Sequence, residues 1–203
     1  RKPLGVIACI LPFNDPVALV AHKVGPAIAA GNAVVLKPDP SSSLAVLRTC
    51  ELMLEAGIPA GRINVVTGGA EPGKRLVEHP DVRMISFTGG RTTGEAVARN
   101  AGIKRLSLEL GSNSPVIIMP DARLEAAVRA VSDGAFAQAG QNCLGVQRVY
   151  VHSSIYDTFR GLLREHVSSL KAGHSLDDSV DVCQMMRPSE ADRVKARIDE
   201  AVA

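Results

Sequence analysis

Short apolar runs that end in glycine or proline alternate along this chain with helix-length amphipathic segments. The runs read GVIACI, AVVLKP, INVVTGG, MISFTGG, KRLSLEL, PVIIMP and VQRVYVH. Most are almost continuously apolar, which is typical of strands buried on both faces of a parallel sheet. Apolar residues three and four positions apart predict helices over 17–30, 43–56, 72–79, 91–101, 122–137 and 154–171. The alternation predicts an α/β fold in which helices cover both faces of a parallel sheet.

The turn GSNSP at 111–115 divides this alternation into two parts. Gly and Pro mark a change of chain direction, and a loop between domains often carries functional residues. We therefore expect a second unit to begin near Gly111. The chain opens directly on a strand-like run and closes within a predicted helix at 190–203. We expect it to be the central piece of a longer protein.

The composition argues against nucleic-acid binding and membrane insertion. The 203 residues include 23 basic and 21 acidic side chains, a net charge of +2, and these are interspersed instead of clustered. Four Phe, two Tyr and no Trp leave few aromatic surfaces on which bases could stack. No stretch reaches the roughly 18–20 apolar residues that span a bilayer. We expect a cytoplasmic protein whose partner is a small molecule.

The cysteines and histidines do not match a zinc site. Cysteines stand at 9, 50, 143 and 183 without CxxC spacing, and no histidine pair has the HxxxH form, so we predict no metal site and free thiols. Cys9 and Cys50 lie in apolar periodic segments and are expected to be inert core residues. Cys143 lies in GQNCLG between Gly140 and Gly145, where a tight turn is expected to expose the thiol. A nucleophile and an ordinary surface thiol both remain open there.

Two turns with the spacing GGxxxG, at 68–73 and 89–94, each follow a strand and open a helix. Glycine lets backbone N–H groups approach a pyrophosphate, and a helix N-terminus contributes a partial positive charge. Both turns suit a dinucleotide, although neither is the GxGxxG fingerprint and such turns are glycine-rich for steric reasons alone. Lys37 ends the strand AVVLKP, which predicts an ammonium group at the carboxyl edge of the sheet, where nucleotides bind. A solvated lysine is the alternative.

Glu109 and Asn14 are further polar residues at strand ends. Glu109 ends RLSLEL between two leucines, so its carboxylate either faces a cleft of reduced polarity as a general base or lies on the wetter face of the strand. Asn14 lies in PFNDP after the first strand, where its amide either caps the next helix or donates a hydrogen bond to an oxyanion. Local spacing leaves both pairs of alternatives open.

Five motifs in this order resemble the aldehyde dehydrogenase superfamily: PFN at 12–14, AAGNAVVLKP at 29–38, ISFTGG at 85–90, SLELGSNSP at 107–115 and GQNC at 140–143. The match covers nearly the whole chain. Its most specific part is ELG followed by GQxC, with Cys143 placed 34 positions after Glu109, the usual separation in that family.

The resemblance implies a Rossmann-like parallel-sheet domain for the cofactor over 1–110 and the first part of an α/β catalytic domain over 111–203. It implies that Cys143 is the nucleophile, that Asn14 and the Cys143 backbone N–H hold the oxyanion, and that Glu109 is the base that releases the acid. The implied cofactor residues are Lys37 at the adenosine ribose, Phe87, Thr88, Gly89 and Gly90 at the pyrophosphate and nicotinamide, and also Gly73 and Leu110.

The implied activity is oxidation of an aldehyde to a carboxylic acid with NAD or NADP, through a thiohemiacetal and a thioester. A CoA-acylating aldehyde dehydrogenase is one alternative, and a truncated, non-catalytic relative that serves as a binding or assembly module is another. A homo-oligomer is implied for the full-length parent. Pro40 stands where NAD-preferring relatives often carry glutamate, so we expect NADP to be accepted as well as NAD. Ser112 and Asn113 depart from the family's commoner Gly-Lys, and Gly90 stands where a serine often follows FTG.

Overall fold

The structure, a computed structural model, describes residues 2–203. The chain separates into two compact units, Arg1–Gly111 and Ser112–Ala203. This boundary falls within the GSNSP turn, next to the position expected from the sequence. The first unit has one five-stranded sheet and two hydrophobic cores, and the second unit has two two-stranded sheets and one hydrophobic core.

The first unit contains five strands and four α-helices. The strands are β1 Val6–Ile10, β2 Ala33–Lys37, β3 Ile63–Val65, β4 Val82–Thr88 and β5 Arg105–Glu109. The helices are α1 Pro16–Ala29, α2 Ser43–Glu55, α3 Ala70–Glu78 and α4 Arg91–Asn100. All five strands are parallel, in the spatial order β3-β2-β1-β4-β5. The strand order reverses between β1 and β4, and in such sheets the crevice at that point takes the ligand.

Helices cover this sheet on both faces. Along β1, Ile7 and Cys9 belong to a core that includes α1 and α2, whereas Ala8 and Ile10 belong to a core that includes α3 and α4. Successive side chains of a strand point to opposite faces, so a strand buried on both sides is apolar throughout. The two cores explain the continuous apolar run GVIACI and confirm the predicted α/β fold.

The second unit packs two helices on a pair of parallel strands. Strands β6 Ser114–Ile118 and β7 Val146–Val151 are connected through α5 Leu124–Phe136, and α6 Tyr156–Ser169 follows. Side chains from all four elements form one core. The unit ends with the short strands β8 Ala172–Gly173 and β9 Val182–Cys183 and with the helix α7 Pro188–Val202.

The predicted helices all form, with ends close to the predicted ones. The pair β8–β9 has no sequence signal, because two residues per strand are too few to show a periodicity of two. Among residues 2–203, no helix combines the length and the apolar composition that crossing a membrane requires.

Candidate active site

Predicted site residues of the first unit meet at the carboxyl edge of its sheet. Lys37 ends β2, Thr88 ends β4 and Glu109 ends β5, and parallel strands place these ends along one edge. The register pairs Thr88 directly with Glu109. Asn14 lies in the loop that leads from β1 to α1 at the same edge. Residues far apart in the chain are therefore neighbours along this edge.

A cavity of about 270 Å³ lies between α3 and α4. Lys37, Gly73 and Phe87 line it, together with apolar side chains of the two helices. Lys37 is only 8% exposed, and burial lowers the pKa of its ammonium group, while the Asp39 carboxylate opposes that shift. A largely apolar cavity with two lysines, Lys37 and Lys74, among its lining residues suits a flat heteroaromatic ring attached to a hydroxylated sugar.

The turn after β4 requires glycine for steric reasons. A Cβ atom at Gly89 would lie 2.6 Å from the ring of the buried Phe87, closer than carbon atoms approach in folded proteins. The Gly89 N–H donates to the Glu109 carbonyl oxygen at 3.0 Å and so ties the turn to β5. Leu110 likewise fills the space that a side chain at Gly94 would occupy. Phe87, Gly89 and Leu110 are therefore packed around the start of α4.

The start of α4 also presents polar groups suited to a ligand. Its N-cap is Gly90, which offers no capping side chain, and first-turn N–H groups of a helix then bind water or a ligand. Thr88 is buried, and its Oγ1 atom has no hydrogen-bond partner within the part of the chain that the structure describes. A buried, unpaired hydroxyl costs about 1–3 kcal/mol. An unpaired hydroxyl beside a glycine turn fits a ligand with several hydrogen-bonding groups, as a dinucleotide has.

Asn14 lies two positions before Pro16, the first residue of α1, and is half-buried. The N-cap of α1 is Asp15, whose backbone is left-handed with φ 48° and whose side chain makes no capping hydrogen bond. The cap position therefore belongs to Asp15 and not to Asn14. A left-handed backbone costs a non-glycine residue about 1–2 kcal/mol, and strain of this kind is concentrated at functional sites.

The turn that carries Cys143 is strained in the same way. Gln138 and Ala139 have left-handed backbones, with φ 54° and φ 56°. Among residues 2–203, these two and Asp15 are the non-glycine residues with positive φ. Asp15 is adjacent to Asn14, and the other two lie on the turn that leads into Cys143. The strained parts of the backbone therefore lie close in sequence to two of the predicted catalytic residues.

Side-chain hydrogen bonds hold this turn in place. Asn142 donates from Nδ2 to the carbonyl oxygen just after α5 at 2.9 Å, and its Oδ1 accepts from the Leu144 N–H at 3.0 Å. Gln141 donates from Nε2 to the Gln138 carbonyl oxygen at 3.0 Å, and its Oε1 accepts from the Met186 N–H at 3.0 Å. Hydrogen bonds of Gln141 and Asn142, the two residues before Cys143, therefore stabilise the strained backbone of this turn.

The four cysteines differ in how accessible their thiols are. Cys9 and Cys50 are buried, which confirms that they belong to the core. Burial raises the pKa of both thiols, that of Cys9 to about 11 against the opposing charge of Lys23. Cys143 and Cys183 are half-buried. Of these two, Cys183 lies in β9 and Cys143 lies on the strained turn.

Glu109 is exposed within its own unit, as are most residues of the edge strand β5. For the first unit taken by itself, the wetter-face alternative therefore describes Glu109 better than a cleft of reduced polarity. The physical reason is its place on an edge strand, which has a partner strand on one side only.

The sequence patterns do not single out Lys23, which is buried in α1. It is 8% exposed, and its Nζ donates to Ser86 Oγ at 2.9 Å. Burial lowers the pKa of this ammonium group, while Cys9 and Glu109 oppose the shift. Ser86 pairs with Ser107, two residues before Glu109, so Lys23 and Glu109 lie on the same face of the sheet. The available signal was a lysine among the apolar, sheet-facing positions of α1.

Comparison with known sequences extends over the whole chain. The sequence model of the aldehyde dehydrogenase family matches residues 1–203. An aspartate-semialdehyde dehydrogenase of Pseudomonas canavaninivorans is 48% identical over 202 residues, which is 100% of this chain and 43% of that protein. A 3-sulfolactaldehyde dehydrogenase of Priestia aryabhattai is 48% identical over 203 residues, with the same two coverages, 100% and 43%. The chain therefore spans less than half the length of these curated relatives.

Solved structures share the fold. An NADP-dependent enzyme of E. coli superposes with a TM-score of 0.95 at 39% identity, over 99% of this chain and 42% of its own. Betaine aldehyde dehydrogenase of Staphylococcus aureus, solved in complex with NAD+, superposes with a TM-score of 0.93 at 34% identity, over 97% of this chain and 40% of its own.

Proposed function

Because the chain belongs to the aldehyde dehydrogenase family, we propose that the full-length protein oxidises a small aldehyde to a carboxylic acid with NAD or NADP. Cys143 is the nucleophile, Asn14 and the Cys143 backbone N–H bind the oxyanion, and Glu109 is the general base. One observation carries the proposal: Cys143 combines a partly exposed thiol with a strained turn that side chains hold in place.

The first step is attack of the Cys143 thiolate on the aldehyde carbon. A carbon–sulfur bond forms, and the carbonyl electron pair moves to oxygen, which becomes an alkoxide. The Asn14 amide and the Cys143 N–H donate hydrogen bonds to this oxygen, and each donor contributes about 3 kcal/mol in comparable sites. Hydride leaves a tetrahedral alkoxide far more readily than a neutral aldehyde, which is why covalent attack precedes oxidation. When bound, the nicotinamide would accept the hydride, and a thioester would remain on Cys143.

Glu109 acts in the second half of the reaction. Water attacks the thioester carbon while the Glu109 carboxylate takes a proton from that water. The carbon–sulfur bond then breaks, the carboxylic acid leaves, and the Cys143 thiolate is restored. This role rests on the ELG motif at 109–111 in a chain that belongs to the family. In the first unit taken by itself the Glu109 carboxylate is exposed and so accessible to water.

The cofactor site of the proposal is the carboxyl edge of the first sheet. The cavity lined by Lys37, Gly73 and Phe87 would take the adenosine half, with the Lys37 ammonium donating to ribose hydroxyls. The glycine turn at 89–90 and the start of α4 would bind the pyrophosphate. Leu110 and the unpaired Thr88 hydroxyl would border the nicotinamide half.

Both NAD and NADP are proposed as cofactors. Pro40 leaves no carboxylate where NAD-preferring relatives often carry one, and the Asp39 carboxylate accepts a hydrogen bond from the Ser41 N–H at 2.9 Å. A 2′-phosphate would therefore be attracted by Lys37 without repulsion from position 40. The names of the solved neighbours agree with this choice, because one is NADP-dependent and the other holds NAD+.

The substrate of the proposal is a small aldehyde that carries an anionic group. The two relatives with 48% identity are named for aspartate semialdehyde and for 3-sulfolactaldehyde. Both substrates join an aldehyde to an acidic group, a carboxylate in one and a sulfonate in the other. This shared chemistry supports an anionic aldehyde as the first class to test.

The test uses full-length protein with carboxylated, sulfonated and uncharged aldehydes, and follows reduced cofactor with NAD or NADP. We expect turnover of at least one anionic aldehyde and a loss of about a thousandfold or more in Cys143→Ser. Cys183→Ser is the matched control, because that thiol is also half-buried, and it should stay near wild type. Undiminished turnover of Cys143→Ser contradicts the proposal, and a product that forms only with CoA would identify the CoA-acylating alternative.

A further inference from the structure

We propose that Ser112 is a positioning residue, whose hydroxyl holds the peptide group that follows Cys143 and thereby sets the direction of the thiol. The inference rests on the proposed function, in which Cys143 is the nucleophile. Ser112 itself touches neither the reacting atoms nor the cofactor in this assignment.

The contact joins two segments that are distant in the sequence. The Ser112 hydroxyl donates to the Cys143 carbonyl oxygen. The N–H of the same peptide group, which belongs to Leu144, donates to Asn142 Oδ1 at 3.0 Å. Both polar groups of the peptide between Cys143 and Leu144 are therefore held by side chains.

Fixing that peptide group fixes the backbone torsion between the Cα of Cys143 and its carbonyl carbon. The backbone just before it contains Gln138 and Ala139 in left-handed conformations, so the turn can lower its energy by moving when a restraint is lost. A misplacement of about 1 Å at a reacting atom can lower a rate by two orders of magnitude. A hydrogen bond to the turn that carries the thiol therefore affects reactivity without contact with the substrate.

Ser112 is itself held on a rigid support. Its Oγ lies 2.9 Å from Ser114 Oγ, and Ser114 opens β6, where it pairs with the first residue of β7. The Arg148 guanidinium donates twice to the Asn113 carbonyl oxygen, at 3.2 and 2.9 Å. Hydrogen bonds therefore hold the loop that carries Ser112 to both β6 and β7.

This arrangement gives a physical meaning to a departure from the family pattern. Serine stands here where glycine is commoner after the ELG motif. Glycine has no side chain and makes no such bond to the cysteine turn. We infer that in this chain a side-chain hydrogen bond supplies part of the order of the nucleophile turn.

The experiment compares Ser112→Ala, Ser112→Gly and Ser112→Thr in the full-length protein. Two quantities are measured: the rate at which iodoacetamide alkylates Cys143, and kcat/KM for an aldehyde substrate. We expect both to fall about tenfold in the alanine and glycine variants. Threonine keeps the hydroxyl and should restore both to within about twofold, while KM for the dinucleotide stays unchanged in all three.

Ser169→Ala is the matched control, because Ser169 in α6 also donates from its hydroxyl to a backbone carbonyl oxygen, that of His166, at 2.7 Å. It should behave as wild type in both assays. Melting curves of each variant set an assay temperature at which the protein is folded. A purely structural role for Ser112 would lower the melting temperature and leave the rate of Cys143 alkylation unchanged. If the alanine variant does not fold, the comparison of the glycine variant, which lacks the hydroxyl, with the threonine variant, which keeps it, tests the inference.

The inference is overturned if Cys143 reacts equally fast with and without the Ser112 hydroxyl, or if threonine fails to restore what alanine loses. A wild-type Cys143 that is slow to alkylate, or a Cys143→Ser variant that still turns over, would instead defeat the proposed function. The two failures are therefore distinguishable in one set of measurements.

Discussion

At the scale of single residues, the four thiols predict an order of chemical reactivity. Burial raises the pKa of Cys9 from 9.0 to about 11, which lowers its thiolate fraction near pH 8 about a hundredfold. We expect brief, substoichiometric iodoacetamide to label Cys143 first, as read by mass mapping. The same labelling in denaturant is the control, because unfolding removes the difference in environment. First labelling of Cys9, Cys50 or Cys183 in the folded protein would contradict the assignment of Cys143.

The assignment of Glu109 as base makes a kinetic prediction at the same scale. In full-length Glu109→Gln, thiolate attack and hydride loss remain, so reduced cofactor should form in a burst and steady turnover should fall about a hundredfold or more. Rapid mixing resolves the two phases. Glu51→Gln, in an exposed ion pair on α2, is the control and should turn over normally. A normal steady rate in Glu109→Gln would place the base elsewhere, and loss of the burst would place Glu109 before deacylation.

Position 40 makes a prediction about cofactor choice. We expect kcat/KM for NAD to exceed that for NADP by less than about a hundredfold, a difference of roughly 2.7 kcal/mol. Pro40→Glu should shift the ratio toward NAD by about tenfold or more, because a carboxylate there repels the 2′-phosphate. Pro40→Ala removes the same ring without adding charge and should leave the ratio unchanged. A larger NAD preference in the wild type would mean that another carboxylate excludes the phosphate.

At the scale of elements, the turn from β4 to α4 offers a matched pair of glycines. A Cβ at Gly89 would meet the Phe87 ring, whereas a Cβ at Gly90 has nothing within 4 Å. Phe87 is buried and has little room to move, so Gly89→Ala should cost about 1–3 kcal/mol and raise KM for the dinucleotide. Gly90→Ala should leave the stability unchanged, because a Cβ there meets no protein atom. Thermal melting and cofactor titration test both variants. Equal melting temperatures of the two variants would show that the Phe87 ring can move aside without loss of stability.

At the scale of the whole molecule, the 203-residue chain on its own leaves apolar surface uncovered. Ile117, Leu176 and Val202 are 70%, 87% and 82% exposed. A groove of about 830 Å³ also runs along the α1 face of β4 and β5, lined by residues that include Met84 and Arg105. Parallel sheets are stable when both faces are covered, so we expect the isolated chain to bind a hydrophobic dye and to associate. A monodisperse monomer with a cooperative melt and no dye binding, measured by light scattering and fluorescence, would contradict this.

The fold of both units follows from local sequence patterns. Apolar runs that end in Gly or Pro, separated by segments with spacings of three and four, determine which parts become strands and which become helices. The motifs at strand ends point to Asn14, Lys37, Glu109 and the glycine turns, because parallel strands always deliver their ends to one edge. These strands, helices and motifs can be predicted from the sequence because each depends on residues that are close together in the chain.

Only the tertiary structure decided how individual side chains are surrounded. The contact of Lys23 with Ser86 spans 63 positions, and that of Ser112 with Cys143 spans 31. Burial, and with it the raised thiol pKa of Cys9 and the unpaired hydroxyl of Thr88, depends on which distant elements pack together. The spacing of apolar residues shows which face of a helix or strand is apolar. It does not show which residues of other elements pack against that face. For that reason the candidate site could be proposed from the sequence, while the hydrogen bonds that hold its cysteine turn could be seen only in the folded chain.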